Sequence, residues 1–259
     1  MSFDGHKFSY GGTAFDLRFL HIKTSYQDTA VESTPKYDML RFNRNNQFFI
    51  KSRKYEDGAE WDVELISEKP ISVENQRNYT KLLFNSPCFK KLQLTPLNSS
   101  DTEYSGVYYN CVFTDETKIT IGANMYGWKC KMVCDAPYAW ANDNTATITS
   151  FGSNGAFTYT NTSDDVDLVI PKLIVTARTS GTIKIQNTSS GVTFIVNDMS
   201  ANETLTIDQY GQMSSSTDAN HYDDWNKVFL HLQNGENSLF ATNISSISIT
   251  QKICRRIGV

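Results

Sequence analysis

The stretch GVYYNCVFTDETKITIGANMYGWKCKMVCDAPYAW, residues 106–140, decides the fold of this chain. In residues 107–114 apolar and polar side chains alternate, which is the two-residue period of a β-strand. A second strand over residues 128–134 presents its apolar side chains on one face: Trp128, Cys130, Met132 and Cys134. This strand stops before Pro137, which has no N–H group to donate to a sheet. The stretch therefore predicts two strands that end a first domain.

Length and composition favour a protein rich in β-structure. The 259 residues suffice for one large or two medium domains with ordinary cores. Aromatic residues make up 12% of the sequence, and Ser, Thr and Asn are frequent, which favours strands over helices. No apolar run approaches the roughly 20 residues that cross a bilayer, and the N-terminus lacks the features of a signal peptide. We therefore expect synthesis in a cytoplasm and no membrane insertion.

Charge is divided unevenly along the sequence. Residues 1–140 contain 17 Lys and Arg and 17 Asp and Glu, whereas residues 141–259 contain 7 and 11. The second half accounts for the whole net charge of −4, so a basic groove for nucleic acid is not expected. Composition, charge and strand spacing all change near residue 140. We therefore predict an N-terminal domain at residues 1–140 and a C-terminal domain at residues 141–259.

The five cysteines are an odd number, which argues against a disulfide framework. Cys111, Cys130 and Cys134 fall on apolar strand faces, which predicts buried free thiols. A zinc site is the alternative hypothesis. However, Cys130 and Cys134 stand four residues apart on one strand, about 13 Å by strand rise, which is too far to share one ion. No metal-binding residues are therefore predicted.

The first half has the pattern of strands around a single helix. Residues 8–22 predict a hairpin around a Gly-Gly turn. Residues 23–47 are polar and have no clear period, so they are a candidate arm or disordered loop. A helix is predicted over residues 72–84, with Ser72 as its N-cap and Pro87 just beyond its end. Further strands are predicted around residues 48–50, 61–65 and 92–94.

Short strands separated by turn residues fill the second half. The candidates are residues 173–177, 183–185, 192–196, 205–207, 228–232 and 247–249. Spacings near ten residues predict a β-sandwich or jelly roll. Asn-x-Ser/Thr triplets begin at Asn78, Asn98, Asn161, Asn187, Asn202 and Asn243. Without a secretory signal these triplets indicate a polar surface instead of glycosylation.

Short motifs in both halves carry a family resemblance. Residues 134–140 have the sequence Cys-Asp-Ala-Pro-Tyr-Ala-Trp. Farther along, Pro171 precedes a strand, Ile207-Asp208 ends another, and residues 235–239 have the sequence Gly-Glu-Asn-Ser-Leu. In order and spacing these motifs resemble the distal tail proteins (Dit family) of long-tailed, non-contractile bacteriophages. In that family the first motif is Asp-Pro-Tyr or Asp-Pro-Phe, and the last lies at a Gly-Asn-x-Leu/Ile turn.

The resemblance covers nearly the whole chain and implies a mainly β fold. It implies an N-terminal β-sandwich ring domain with one α-helix, and a C-terminal galectin-like β-sandwich, or jelly roll. It also implies a structural virion protein at the distal end of the tail, made in the host cytoplasm. Six copies would form a ring that joins the tail tube protein to the tail-tip or baseplate hub protein, and also to a receptor-binding protein. DNA would pass through the ring unbound, and residues 23–47 would form a belt-like arm.

Residues with potential chemistry are densest in the sequence His221-Tyr222-Asp223-Asp224-Trp225. Such a cluster could hold calcium or a sugar. It also lies at the end of a Ser-, Asn- and Asp-rich loop, residues 211–224, where acidic side chains are ordinarily solvated. The other histidines, His6, His21 and His231, are expected to be solvated or structural.

The sequence offers no catalytic constellation. It contains no Gly-x-Ser-x-Gly elbow, no P-loop and no His-Glu-x-x-His motif. The acids at 56–57, 64 and 115–116 could flank a glycosidic bond, but on strand faces and turns they would simply keep the protein soluble. We therefore expect no enzyme activity, no catalytic residues and no cofactor.

Two functions from other classes remain as alternatives. The first is a carbohydrate-binding module for host surface glycans, in which Tyr210, Tyr222 and Trp225 stack on a sugar ring. The second is a glycan hydrolase, which ranks last because no catalytic pair supports it. The mass of the purified protein in solution discriminates a ring-forming protein from a monomeric sugar-binding module.

Overall fold

The computed structural model describes residues 5–21, 36–41, 48–54, 58–95, 105–151, 155–164, 170–208 and 210–256. These residues contain seventeen strands and one helix, so the predicted mainly β fold is confirmed. Their contacts divide the chain into two compact units, called unit 1 (residues 1–140 with 256–259) and unit 2 (residues 141–255). Among the described residues, no helix is long and apolar enough to cross a membrane.

Unit 1 is built on six antiparallel strands whose pairing closes on itself. Its strands are β1 (His6–Tyr10), β2 (Thr13–His21), β3 (Lys36–Arg41), β4 (Phe48–Lys54), β5 (Glu60–Ile66), β6 (Lys90–Thr95), β7 (Val107–Ile121) and β8 (Asn124–Cys134). Six of these strands pair in the order β7-β6-β1-β2-β5-β8, and β8 also pairs with β7. The other two, β3 and β4, form a separate two-stranded sheet. Alternate side chains of these strands, including Phe8, Leu17, Leu65 and Trp128, are buried in one core. The period-2 pattern in the sequence is the direct cause of this arrangement.

The stretch 106–140 forms one long hairpin. Pairing of β7 with β8 runs from Cys111 opposite Cys134 to Ile121 opposite Asn124. The strands are longer than the sequence predicted, and the added part is largely exposed, from Asp115 onward. Asp115 has a positive φ of 54° at a register shift, so the hairpin changes from a buried base to an exposed tip at this residue.

Helix α1 (Val73–Leu83) packs on the aromatic part of this core. The side chain of Ser72, the predicted N-cap, accepts a hydrogen bond from the Asn75 N–H group at 3.3 Å. The ring of Tyr79 meets that of Trp128 edge-on, with 6.2 Å between the centroids. The helix is therefore fixed by its cap and by aromatic packing more than by the length of its apolar face.

Part of the candidate arm is a hairpin. Residues 22–35 and 42–47 lie outside the described residues, but β3 pairs with β4 from Lys36 opposite Lys54 to Arg41 opposite Phe48. The absence of a clear period in the sequence was therefore the wrong guide for residues 36–41. The side chains at 36–39 are all exposed, so no buried face imposes an alternating pattern on these four residues.

Unit 2 is a sandwich of two antiparallel sheets, as the strand spacing predicts. Its strands are β9 (Ala139–Ile148, which begins in unit 1), β10 (Ala156–Asn161), β11 (Lys172–Ala177), β12 (Gly181–Asn187), β13 (Val192–Met199), β14 (Thr204–Ile207), β15 (Met213–Ser215), β16 (Gly235–Thr242) and β17 (Ile244–Arg255). One sheet has the order β15-β14-β11-β17-β9 and the other β10-β16-β12-β13. Val175 and Ile247 of the first sheet share a core with Ile185 and Phe194 of the second. The predicted sandwich is confirmed.

Residues 228–232 form an irregular segment instead of the predicted strand. Leu230 and Leu232 are buried in the core of unit 2, whereas Val228 is exposed. The alternation in the sequence shows which side chains enter the core. It does not indicate pairing with another strand. The family motif at 235–239 likewise lies within strand β16 and not in a turn.

Side-chain amides replace a partner strand for this irregular segment. The amides belong to Asn161, Asn187 and Asn237, all of which are buried. Asn187 Nδ2 donates to the His231 carbonyl at 2.9 Å, and Asn161 Nδ2 donates to the Leu232 carbonyl at 3.2 Å. Side-chain amides thus satisfy the carbonyl groups of His231 and Leu232.

The third amide completes the network. Asn237 Nδ2 donates to the Gln233 carbonyl at 2.8 Å, and the Gln233 N–H group donates back to Asn237 Oδ1 at 3.0 Å. Asn187 Nδ2 also donates to Asn237 Oδ1, at 2.9 Å. Asn161 and Asn187 begin two of the Asn-x-Ser/Thr triplets, so the predicted surface position is wrong for both.

Candidate functional site

The sequence 221–225 lies beside a buried glutamate that sequence analysis did not single out. His221 Nε2 lies 2.8 Å from Glu203 Oε1, and the two residues are only 3% and 2% exposed. On the other side of the imidazole, Nδ1 lies 3.3 Å from Asp224 Oδ2. These three residues, with Ser215 and Thr217, are called the His221 cluster.

Glu203 is the centre of this cluster. Ser200 N–H donates to Oε2 at 2.7 Å, and the Thr217 hydroxyl donates to Oε1 at 2.8 Å. The Ser215 hydroxyl donates to the same oxygen. Burial opposes ionisation of the Glu203 carboxyl, but hydrogen bonds from Ser215, His221, Ser200 and Thr217 lower its pKa to about 2. The Ser-x-x-Glu spacing of residues 200–203 is the one sequence signal for this pairing, since it is typical of a side chain that bonds back to a turn.

The geometry of the cluster is that of a cross-link and not of a reaction centre. Both nitrogens of His221 face carboxylate oxygens, Nε2 that of Glu203 and Nδ1 that of Asp224, so the ring bridges the two acids. Ser215 gives its hydrogen to Glu203 and not to His221, so no serine–histidine relay is formed.

The cluster is also not arranged as a metal site. The carboxylates of Glu203 and Asp224 lie against opposite nitrogens of the His221 ring and do not converge on one point. Within the described ranges, no three or more His, Cys, Asp or Glu side chains are grouped to hold a metal ion. Asp223 is exposed, and Asp224 is half-buried because it pairs with His221 instead of being solvated.

The segment after His221 is docked on strand β13. The Asn226 N–H group donates to the Ile195 carbonyl at 3.1 Å, and Asn197 N–H donates to the Asp224 carbonyl at 3.0 Å. The indole N–H group of Trp225 donates to the Val228 carbonyl at 3.0 Å. Backbone and side-chain bonds therefore fix the plane of the Trp225 ring.

Residues 210–229 also carry aromatic and other apolar side chains, some of which are exposed. Tyr210 is 78% exposed, Tyr222 41% and Val228 38%. Trp225 and Phe229 are half-buried, and their ring centroids lie 4.7 Å apart.

The turn that presents Tyr210 is fixed by an aspartate and a glycine. Asp208 Oδ1 accepts hydrogen bonds from the N–H groups of Tyr210 at 2.8 Å and Gln212 at 2.9 Å. Gly211 has φ +79°, and a Cβ atom there would lie 2.4 Å from Cζ of Phe229. Only glycine fits, because the turn is pressed against the Phe229 ring.

The other candidate residues are dispersed. Glu64 Oε1 lies 3.6 Å from Lys129 Nζ across β5 and β8. The acids at 115–116 are exposed on β7, and those at 56–57 lie outside the described residues. The remaining histidines, His6, His21 and His231, lie in β1, β2 and the irregular segment. Among the described residues, no contact pairs Glu64 with the acids at 115–116.

The cysteines on the apolar strand faces are buried, as predicted. Cys111 lies directly opposite Cys134 in the β7–β8 pairing. Burial raises the pKa of the Cys130 thiol to about 12, and it raises the pKa values of Cys111 and Cys134 well above the usual range. Cys88 is exposed.

Comparison with known proteins identifies the family. A family profile described as a phage tail protein N-terminal domain matches residues 3–136, more than half of the chain. A second profile, described as a phage tail C-terminal domain, matches residues 138–253.

The chain belongs to the phage tail protein family. No curated protein matches this phage tail protein. Among solved structures, it is similar to the Dit protein (gp 19.1) of phage SPP1, described as a paradigm of the hub of the adsorption apparatus in phages that infect Gram-positive bacteria. The TM-score is 0.66 at 14% identity, over 96% of this chain and 99% of the SPP1 protein.

The baseplate of phage p2, in its activated conformation with strontium, is a second similar structure. Its TM-score is 0.48 at 11% identity, over 98% of this phage tail protein and 99% of the p2 chain. The resemblance to distal tail proteins that the sequence motifs suggested is confirmed for the fold by the SPP1 protein and for the phage tail by the family match.

Proposed function

We propose that this phage tail protein is the distal tail protein of its virion, a structural subunit between the tail tube and the tail-tip or baseplate hub protein. The proposal rests on how much of the chain the matches cover. Tail-protein profiles match both halves, and the likeness to SPP1 Dit extends over 96% of the chain. A fold alone does not specify a function, so the proposal rests on the family match and the fold together.

Six copies form a closed ring at the distal end of a long, non-contractile tail. Head-to-tail contacts with a closing rotation give a ring and not a filament. The N-terminal domain, residues 1–140, builds the ring, with residues 23–47 as its arm. The C-terminal domain, residues 141–259, is galectin-like and offers surface for other tail proteins, including a receptor-binding protein.

DNA passes through the ring without specific binding. Phosphate contacts with a basic lumen would retain the genome in the tail. The N-terminal domain supports the proposal because its basic and acidic residues are equal in number. On adjacent strands, Lys131 Nζ lies 3.5 Å from Glu60 and Lys129 Nζ lies 3.6 Å from Glu64, so these two lysines are paired with acids.

The protein acts by assembly and not by turnover. The His221 cluster supports this, because Glu203 and Asp224 both contact the His221 ring. The function requires no cofactor and no metal ion.

Mass measurement by light scattering tests the ring. We expect a hexamer, either for the protein alone or after addition of the tail tube and hub proteins. At low salt we expect no binding to double-stranded DNA. A protein that stays monomeric with both tail partners, or that binds DNA with a steep salt dependence, would overturn the proposal.

A further inference from the structure

Two cysteines lie side by side at the base of the long hairpin. Cys111 of β7 and Cys134 of β8 are directly opposite each other in the antiparallel pairing. Opposite residues of two antiparallel strands project their side chains from the same face of the sheet. Both cysteines are buried, so this face is the one that enters the core. The two thiol groups are therefore neighbours, and both are free in the structure.

The hydrogen bonds around the pair show which kind of ladder position it occupies. The Asp135 N–H group donates to the Asn110 carbonyl at 2.9 Å, one residue outside the pair on each strand. The Cys134 N–H group donates away from Cys111, to the Ala59 carbonyl at 2.9 Å. The cysteines are thus a non-hydrogen-bonded pair, in which Cα atoms lie about 4.5 Å apart and side chains are closest. This separation falls within the roughly 4.4–6.8 Å that a disulfide spans.

The other cysteines are less well placed as partners. Cys130 lies on the same strand as Cys134, about 13 Å away by strand rise. Cys254 belongs to β17, and Cys88 is exposed. Among the described strand pairings, only Cys111 and Cys134 are two cysteines placed opposite each other. The geometry therefore selects one pair out of five thiols.

Burial protects this pair while the fold is closed. It raises the pKa values of both thiols, and the thiolate is the form that reacts. However, Cys134 is the last residue of β8, and the ends of strands open more easily than their centres. Opening of this end admits a small reagent and returns the thiols to water. Oxidation is therefore expected to be slow and to proceed through local opening or during folding.

We propose that Cys111 and Cys134 are an oxidisable pair, which a small disulfide such as oxidised glutathione converts into an intramolecular disulfide. The thiolate of one cysteine attacks the glutathione disulfide and releases one glutathione. The thiolate of the other cysteine then attacks the mixed disulfide, forms the bond between the two Sγ atoms and releases the second glutathione. The protein loses two protons and two electrons, and these reduce the reagent to two thiols.

The consequence for the particle rests on the proposed function. A tail subunit made in a reducing cytoplasm keeps the pair reduced, and the finished virion meets oxidising surroundings outside the cell. The disulfide then closes the chain between residues 111 and 134 and restrains the unfolded state. It ties β7 to β8 at the base of the hairpin, after the subunit has already folded. The cross-link itself depends only on the pairing of the two strands.

The test uses the full chain with Cys88→Ser, which removes the exposed thiol and so prevents disulfides between molecules. One reduced sample is treated with oxidised glutathione in the native state, and a second is refolded from urea in the same reagent. We expect a mass lower by about 2 Da, for two hydrogen atoms lost, and a peptide that joins residues 111 and 134. The midpoint of thermal unfolding should rise by about 5 °C. Dithiothreitol should reverse both changes.

Two further variants of this protein identify the bond. Cys134→Ala should abolish the loss of mass. Cys130→Ala removes another buried cysteine of the same strand and is the matched control, in which the bond still forms. Peptide mapping of the protein that keeps both Cys111 and Cys134 does not depend on how well either variant folds.

Three results would overturn the proposal. The first is that neither sample contains the link between residues 111 and 134. The second is that Cys111 is joined to Cys130 instead. The third is that the link forms but lowers the unfolding midpoint, because the folded strands then do not accept the bond. The ring is tested separately by the mass of the assembled protein, so the two proposals can fail independently.

Discussion

Gln251 is a buried residue whose amide has no visible partner. It lies on the core-facing side of β17, and among the described residues neither amide atom accepts or donates a hydrogen bond. An unsatisfied buried amide costs roughly 1–3 kcal/mol. We expect Gln251→Leu to raise the free energy of unfolding by about 1 kcal/mol, measured in urea. Asn237→Leu removes a partnered amide and should lower it, whereas a less stable Gln251→Leu would contradict the prediction.

Glu203 makes the stability of the protein depend on pH in a defined window. Its pKa of about 2 in the folded protein lies below the ordinary value of 4.5. The stabilisation is therefore complete above pH 4.5 and is lost as the pH falls toward 2. We expect Glu203→Gln to lose on the order of 3 kcal/mol at neutral pH and to flatten the stability profile in this window.

Urea unfolding at a series of pH values measures the Glu203 effect. Glu236→Gln, at an exposed position of β16, is the matched control and should follow the wild-type profile. If both variants have the same profile, the hydrogen bonds to Glu203 do not stabilise the fold.

The cysteines should differ sharply in reactivity. The thiolate is the reactive form, and burial raises the pKa of Cys130 to about 12, with those of Cys111 and Cys134 also raised. We expect a thiol reagent at pH 8 to label Cys88 in the native protein and all five cysteines only after unfolding. Cys88→Ser should abolish the native-state reaction, and rapid labelling of that variant would show that the strand cysteines are accessible.

At the scale of elements, the irregular segment depends on side-chain amides. Asn187 donates to the His231 carbonyl and to Asn237. We expect Asn187→Ala to lower the free energy of unfolding by about 2–3 kcal/mol, because it leaves buried groups without partners. Gln186→Ala, on the other face of the same strand, should change it by less than about 0.5 kcal/mol. Equal effects of the two changes in urea unfolding would contradict the role of the amides.

The sequence predicted those elements that bury one face. The hairpin of β7 and β8 and the sandwich strands have a two-residue period because alternate side chains enter a core. Residues 228–232 show the same alternation without a partner strand, since the amides that satisfy their backbone lie far away in the sequence. Glu203 was missed for a similar reason, because its partner His221 is 18 residues further along the chain.

At the scale of the molecule, the core of unit 2 is built from residues of unit 2 itself. Its buried cluster draws on residues 159–249, and Thr145 and Thr147 of β9 bond to Thr250 and Ser248 of β17. We propose on this basis that residues 138–259 form an independent domain and fold when expressed alone. Cooperative urea unfolding, followed by circular dichroism, is the expected result. A fragment that begins at residue 149 lacks β9 and should be less stable, and a non-cooperative 138–259 fragment would contradict the proposal.

The hydrogen bonds around β16 also affect the rate at which Asn234 loses its side-chain amide. Asn234 precedes Gly235, and an asparagine before glycine deamidates readily when the glycine nitrogen can reach the side-chain amide. Here Asn234 Nδ2 donates to the Ser163 carbonyl, and Gly235 is held opposite Asn161 at the start of the strand. We therefore expect a folded copy to keep its amide, and a copy that spends time unfolded to acquire aspartate and isoaspartate at this position. The Asn-Gly pair becomes a chemical record of the time that each subunit spent outside its native state.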